Sequence, residues 1–237
     1  MNVLYRTATE NIDNTQILSQ INVLNEDFEG TNADKTKIPS IFTTRFAGNT
    51  NIRFTWDPNT GTIRKYTTKS SWRTNNDMKR TSRGGIDPTS PTTKLNIWVC
   101  NLANGLLGYA QFPGGSPSTD GVVIDNNAFG RGSFSLFTSY NLGRTTTHEV
   151  GHWLNLRHIW GDATCGTDEV SDTPQHNTAN YGCPADGHTS TCTSNPIEMT
   201  MNYMDYTDDR CMYMFTLGQK SRMLATFSGF RSSFAQP

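Results

Sequence analysis

Charge is what this sequence is shortest of. Asp, Glu, Lys and Arg make up 17% of its 237 residues and sum to −1. That stock cannot build the basic face of a nucleic-acid binder or a polybasic membrane patch. No apolar run approaches the length of a bilayer span, and the hydrophobic fraction is a modest 34%. Internal repeats and low-complexity tracts are missing as well. No leader pattern precedes the strand-like NVLYRTAT after Met1, so a secreted protein of this sequence is expected to have lost its leader. What remains is rich in Gly, Asn, Thr and Ser, the texture of a loop-rich extracellular domain. The length suits one packed domain.

Five cysteines are present without a single CxxC pair, which argues against a cysteine-based zinc site. Cys165, Cys183, Cys192 and Cys211 stand singly among Gly, Pro and Asp in the last third. Cysteines so placed read as disulfide staples on loops, and four of them permit three pairings. Cys100 lies in an apolar run and reads as a small buried hydrophobe.

Along the chain, Asn2–Thr7 reads as a strand. Asp13 opens a helix whose apolar residues, Ile17, Ile21, Leu24 and Phe28, share one face; Gln16 stands in capping-box spacing to it. Ile52–Trp56 and Leu95–Leu102 read as strands, the second nearly all apolar and therefore central. Gly105–Phe112 and Gly121–Asp125 read as two more, and a helix opens near Thr145. Between His158 and Tyr206 periodicity is lost. A closing helix begins at Thr216, with Gln219 completing its capping box and Met223, Leu224 and Phe227 on its apolar face.

The stretch His148–His158, HEVGHWLNLRH, holds three of the five histidines. Residues four apart on a helix share a face, so His148 and His152 can present two imidazoles to one ion. Glu149 lies beside them, placed to deprotonate a water. Catalytic zinc takes three protein ligands and keeps one position open. A continued helix would put His158 roughly 120° away from His152 at 100° per residue. The helix must therefore break and turn back, and Asn155 stands where the turn is needed: Asn is second only to Gly in tolerating left-handed backbone.

HEVGHWLNLRH resembles the extended zinc signature HExxHxxGxxH of the metzincin metalloproteases, departing from it at Asn155. NYMDYTDDRC (Asn202–Cys211) is similar to the methionine turn of that clan. Together with DEVSDTP (Asp168–Pro174), these motifs resemble the bacterial type of the pappalysin family over nearly the whole chain. The resemblance implies an α+β fold: a twisted, mostly parallel sheet with an antiparallel edge strand, a backing helix and an active-site helix, then an irregular disulfide-stapled part ending in a helix. One catalytic domain is expected over 1–237, divided into 1–155 and 156–237. The resemblance further implies zinc on His148, His152 and His158, with Glu149 as general base. It places Met204 beneath the metal and lets Tyr206 steady the transition state. It pairs Cys165 with Cys192 and Cys183 with Cys211, leaving Cys100 free. DEVSDTP would hold calcium through Asp168, Val170, Asp172 and Thr173. The edge strand around Gly108, Tyr109 and Ala110 would bind the substrate backbone, and Asp208 or Asp209 would favour a basic residue just after the cleaved bond. An inhibitory prosegment is expected outside these residues.

The expected function is thus a secreted zinc endopeptidase acting on proteins and peptides, with no nucleic-acid partner. Two alternatives are a hydrolase of non-peptide amides and a binding module with a vestigial zinc site. The presence of Glu149 disfavours the last.

Overall fold

The computed structural model describes residues 1–234. Five strands, β1 (Asn2–Tyr5), β2 (Ile63–Tyr66), β3 (Ile97–Cys100), β4 (Gly108–Ala110) and β5 (Val122–Asp125), form one sheet in the order β2-β1-β3-β5-β4. All neighbours are parallel except β4, which lies antiparallel on β5 at the edge. Alternate strand residues face opposite sides, and both sides are covered. Val3, Ile97, Val99, Val122 and Ile124 cluster with α1 (Asn14–Glu29) and α2 (Arg144–Trp153) through Ile17, Leu24, Phe28, Val150 and Trp153. Leu4, Trp98, Cys100 and Val123 cluster instead with Trp72, Met78 and Ile86.

Asp13 caps α1 by accepting the Gln16 N–H at 2.8 Å. The other half of the expected box does not form, because the Gln16 amide donates to the Phe129 carbonyl at 2.8 Å and ties α1 to the chain after β5. Gly30, at φ 63°, ends the helix.

Two strand assignments change. Ile52–Trp56 is not a strand: Phe54 exchanges both backbone hydrogen bonds with the Asn25 side chain (2.8 and 3.0 Å). Its alternating apolar side chains still reach the core, which is why the period-two pattern is there. β2 is unforeseen, because an edge strand reading IRKY that is half exposed carries no apolar signal.

After α2 the chain is irregular. Disulfides join Cys165 to Cys192 and Cys183 to Cys211, and Cys100 is a free, buried thiol. The final helix α3 (Leu217–Phe227) has the full reciprocal Thr216–Gln219 capping box.

Candidate active site

Every residue of α2 is buried. Its N-terminus meets the carboxylate of Asp209, which accepts the N–H groups of Leu142 (2.8 Å) and Arg144 (3.2 Å), the favourable charge for that end of a helix. At the other end Asn155 adopts φ 75°. The Asn155 N–H donates to the His152 carbonyl and the Leu156 N–H to the Gly151 carbonyl, both at 2.9 Å. That double bond pattern is a Schellman turn, and it swings His158 back over the helix face.

His148, His152 and His158 form the one cluster of three or more potential metal ligands among the described residues. Each Nδ1 has an acceptor: the Tyr203 carbonyl for His148 and the Leu156 carbonyl for His152, both at 2.7 Å, and Asp162 Oδ1 for His158. With the proton held on Nδ1, each Nε2 presents a lone pair. The three Nε2 atoms converge, His152 lying 3.0 Å from each of the others. Three facing lone pairs without a proton between them repel unless a cation joins them. Zinc at about 2.0–2.1 Å from each nitrogen in a tetrahedral array needs separations of about 3.3 Å, so the donor set fits that ion. Burial, followed by neighbouring imidazoles, pushes His148 and His152 well below the usual histidine range, His152 to about 4. That keeps them neutral and able to ligate.

Met204 is fully buried against α2 at Gly151. A Cβ on Gly151 would stand 2.5 Å from its sulfur, so glycine at mid-helix is what admits the methionine. Tyr206 is 37% exposed, with its ring 4.8 Å from that of His158 and 5.5 Å from that of His148. Trp160 stacks flat on His158 at 4.3 Å. Neither Trp160 nor Asp162 is anticipated from the motif, although an acid four residues after His158 is a usable signal for a ligand's partner. The two carbonyl acceptors leave no signal, since every residue has one.

Glu149 is buried against β4. A Cβ on Gly108 would lie 2.9 Å from Glu149 Cγ and 3.0 Å from the Val123 carbonyl, so only glycine lets the strand approach the acid. Desolvation alone pushes Glu149 up to about 8; a dication a few Å away would favour the carboxylate and oppose that shift. On β4, Leu107 and Gln111 bond to the β5 side (2.7 and 3.1 Å). By alternation the backbone groups of Gly108 and Ala110 point to the open edge. Tyr109 is turned away: its hydroxyl donates to Asn76 Oδ1 at 2.9 Å on the opposite sheet face.

A cavity of about 290 Å³ opens between β4, Glu149, Tyr206, Tyr181 and Asp209. Asp209 lines it and Asp208 does not. Burial pushes Asp209 up to about 6 against its backbone hydrogen bonds, while the half-buried Asp208 lies 3.7 Å from the exposed Arg210. In DEVSDTP, the Thr173 hydroxyl is 2.8–3.0 Å from both Asp168 carboxylate oxygens and the Val170 carbonyl. Asp172 points elsewhere, accepting the Thr216 hydroxyl (2.7 Å) and the Gly218 N–H (2.9 Å) at the start of α3.

The family model described as pregnancy-associated plasma protein-A matches residues 87–228, more than half of the chain. An extracellular metalloprotease of Arthroderma otae is 31% identical over 98% of this chain and 77% of its own length. One from Sordaria macrospora is 37% identical over 71% of this chain but only 59% of its own length, so this chain spans under two thirds of that relative. Tannerella forsythia mature mirolysin, solved with a cleaved peptide, superposes with a TM-score of 0.91 at 46% identity, over 98% of this chain and 92% of that one. Promirolysin of the same organism does so with 0.92 at 46%, over 98% and 81%. The chain belongs to the pappalysin family of zinc metalloendopeptidases, the family of pregnancy-associated plasma protein-A, and carries its metzincin fold.

Proposed function

We propose that this protein is a secreted zinc endopeptidase that cuts polypeptides in front of a basic residue. The observation that carries it is the convergence of three imidazole lone pairs beside a buried glutamate facing an open strand edge. His148, His152 and His158 would hold zinc, which when bound would supply Lewis acidity and acidify a water for attack. Glu149 takes a proton from the attacking water and returns it to the leaving amine. The Tyr206 hydroxyl donates to the developing oxyanion. Gly108 and Ala110 hold the substrate backbone by strand addition, and Asp209, not Asp208, attracts the basic side chain into the cavity. An open strand edge favours an extended polypeptide over a small amide. Extracellular relatives support secretion, and a solved precursor of a relative supports an inhibitory prosegment. Digestion of casein is expected to stop in a chelator and return with zinc; undiminished cleavage in the chelator would overturn the proposal.

DEVSDTP is proposed to bind calcium. Two Asp168 oxygens and the Val170 carbonyl surround one hydroxyl proton of Thr173, a surplus of acceptors that suits a hard cation. Desolvation raises the Asp168 pKa, which a bound cation would offset. Because Asp172 also ties down α3, Asp172→Ala would unsettle the fold with or without an ion. Asp168→Asn is the cleaner variant. At matched zinc occupancy, wild-type melting temperature is expected to climb with calcium concentration and that of Asp168→Asn to stay flat. Superimposable wild-type melting curves with and without calcium would reduce DEVSDTP to a polar loop.

A further inference from the structure

β4 gives the cleft a direction. Leu107 and Gly108 border the cavity that holds Glu149 and Asp209, while the chain beyond Ala110 puts the Phe112 ring 5.3 Å from that of His152. A polypeptide added antiparallel to this edge, as the proposed function requires, lays its residues before the cut along Ala110–Phe112. The residues after the cut run along Leu107 towards Gly105.

A second cavity of about 460 Å³ opens at that downstream end, lined by Arg73, Thr74, Ala103, Asn104, Gly105 and Leu106. It shares Gly105 and Leu106 with the first. At about 3.3 Å per residue, the second and third residues after the cut pass its mouth. Its walls are pinned. Trp72, buried, donates to the Asn101 carbonyl and accepts the Ala103 N–H, both at 2.8 Å, and Asn104 and Gly105 turn in consecutive left-handed conformations (φ 63° and 70°). Arg73 is the one charged side chain among the lining residues. The nearest acid in sequence, Asp77, is taken by Lys69 at 3.5 Å and by Asn75 at 3.0 Å. An exposed guanidinium that pairs with no carboxylate among the described residues, on a wall held at Trp72, is free to take a carboxylate arriving from outside.

We propose that this second cavity is a carboxylate subsite. Arg73 pairs there with an acidic side chain two or three residues after the cut, or with the free C-terminus of a short peptide. The enzyme would then select a basic residue followed closely by a carboxylate.

The test is a peptide series that is constant through the basic residue after the cut. It carries Asp, Asn or Lys at the second or third following position with an amidated end, plus one peptide ending at the third position as free acid or amide. For the wild type, kcat/KM for Asp is expected to exceed that for Asn by about threefold to fivefold, the scale of one exposed ion pair, and to fall towards it in high salt. Arg73→Gln is expected to equalise Asp and Asn. An acid-over-amide preference alone would assign the subsite to peptide ends, and an Asp-over-Asn preference to side chains. Equal rates throughout the wild-type series, or a preference that survives Arg73→Gln, would overturn the subsite. Indifference to the basic residue would count against Asp209 and leave the Asp-to-Asn ratio to decide on Arg73. Failure to cleave any peptide would overturn both.

Discussion

Glu149→Gln and Glu149→Ala are both expected to retain zinc at wild-type occupancy while losing about 10²–10⁴-fold in turnover, the usual contribution of a general base. The three converging imidazoles, each oriented by its own acceptor, do not involve Glu149. Removing the acid should therefore leave the metal site standing. Glutamine keeps the volume between α2 and Gly108, so its failure cannot be ascribed to a collapsed strand. Alanine removes the acid and relieves the same contact. Agreement between the two variants isolates proton transfer as what is lost. Zinc content by elemental analysis and turnover on one peptide are the two readouts. A metal-loaded Glu149→Gln protein within a few-fold of wild type would rule out Glu149 as the base.

The centre of this molecule is legible in its sequence because its geometry is local. Two histidines a helical turn apart, an intervening acid and a turn-capable Asn155 are all within eleven residues, and the left-handed φ at Asn155 is the predicted one. α1 and α3 are legible for the same reason, through capping residues and a 3.6-residue period. Long-range partnerships are not. Nothing in IRKY says that it pairs with β1, and nothing in Ile52–Trp56 says that Asn25 will take its backbone groups. That Asp209 rather than Asp208 faces the start of α2 rests on a contact across 67 residues of sequence for the Leu142 N–H. A buried cluster around Asp205 is equally silent in sequence: His176, fully buried, lies 3.5–3.6 Å from the carboxylates of Asp205 and Glu198, which Asn180 bridges.

Arg144→Met is expected to cost about 3–5 kcal/mol of stability, the range for removing one partner of a buried ion pair. The Arg144 side chain is 3% exposed and lies 3.2 Å from Asp27, itself 0% exposed, and 3.3 Å from Asp34. Asp27 also accepts the Thr147 hydroxyl at 2.6 Å and the Tyr203 hydroxyl at 2.9 Å. The network therefore clamps α1 to α2 and to the residue whose carbonyl orients His148. Desolvation pushes Asp27 up to about 7 even with Arg144 drawing it down. An acid raised above its unfolded value binds its proton more tightly in the folded state, so stability falls as pH rises from the unfolded value up to the folded one, about 7 here. Without Arg144 the same carboxylate is still harder to ionise. The deficit of Arg144→Met should therefore be smaller at pH 5, where Asp27 is neutral in both proteins, than at pH 8. Adding Asp27→Asn to Arg144→Met should recover part of the loss at pH 8, because a buried carboxyl no longer has to hold its proton far above its unfolded value. Denaturant melts of the three variants at both pH values measure this. An Arg144→Met protein as stable as wild type at pH 8 would show that packing around α2, rather than this buried charge pair, holds the helix that carries the site.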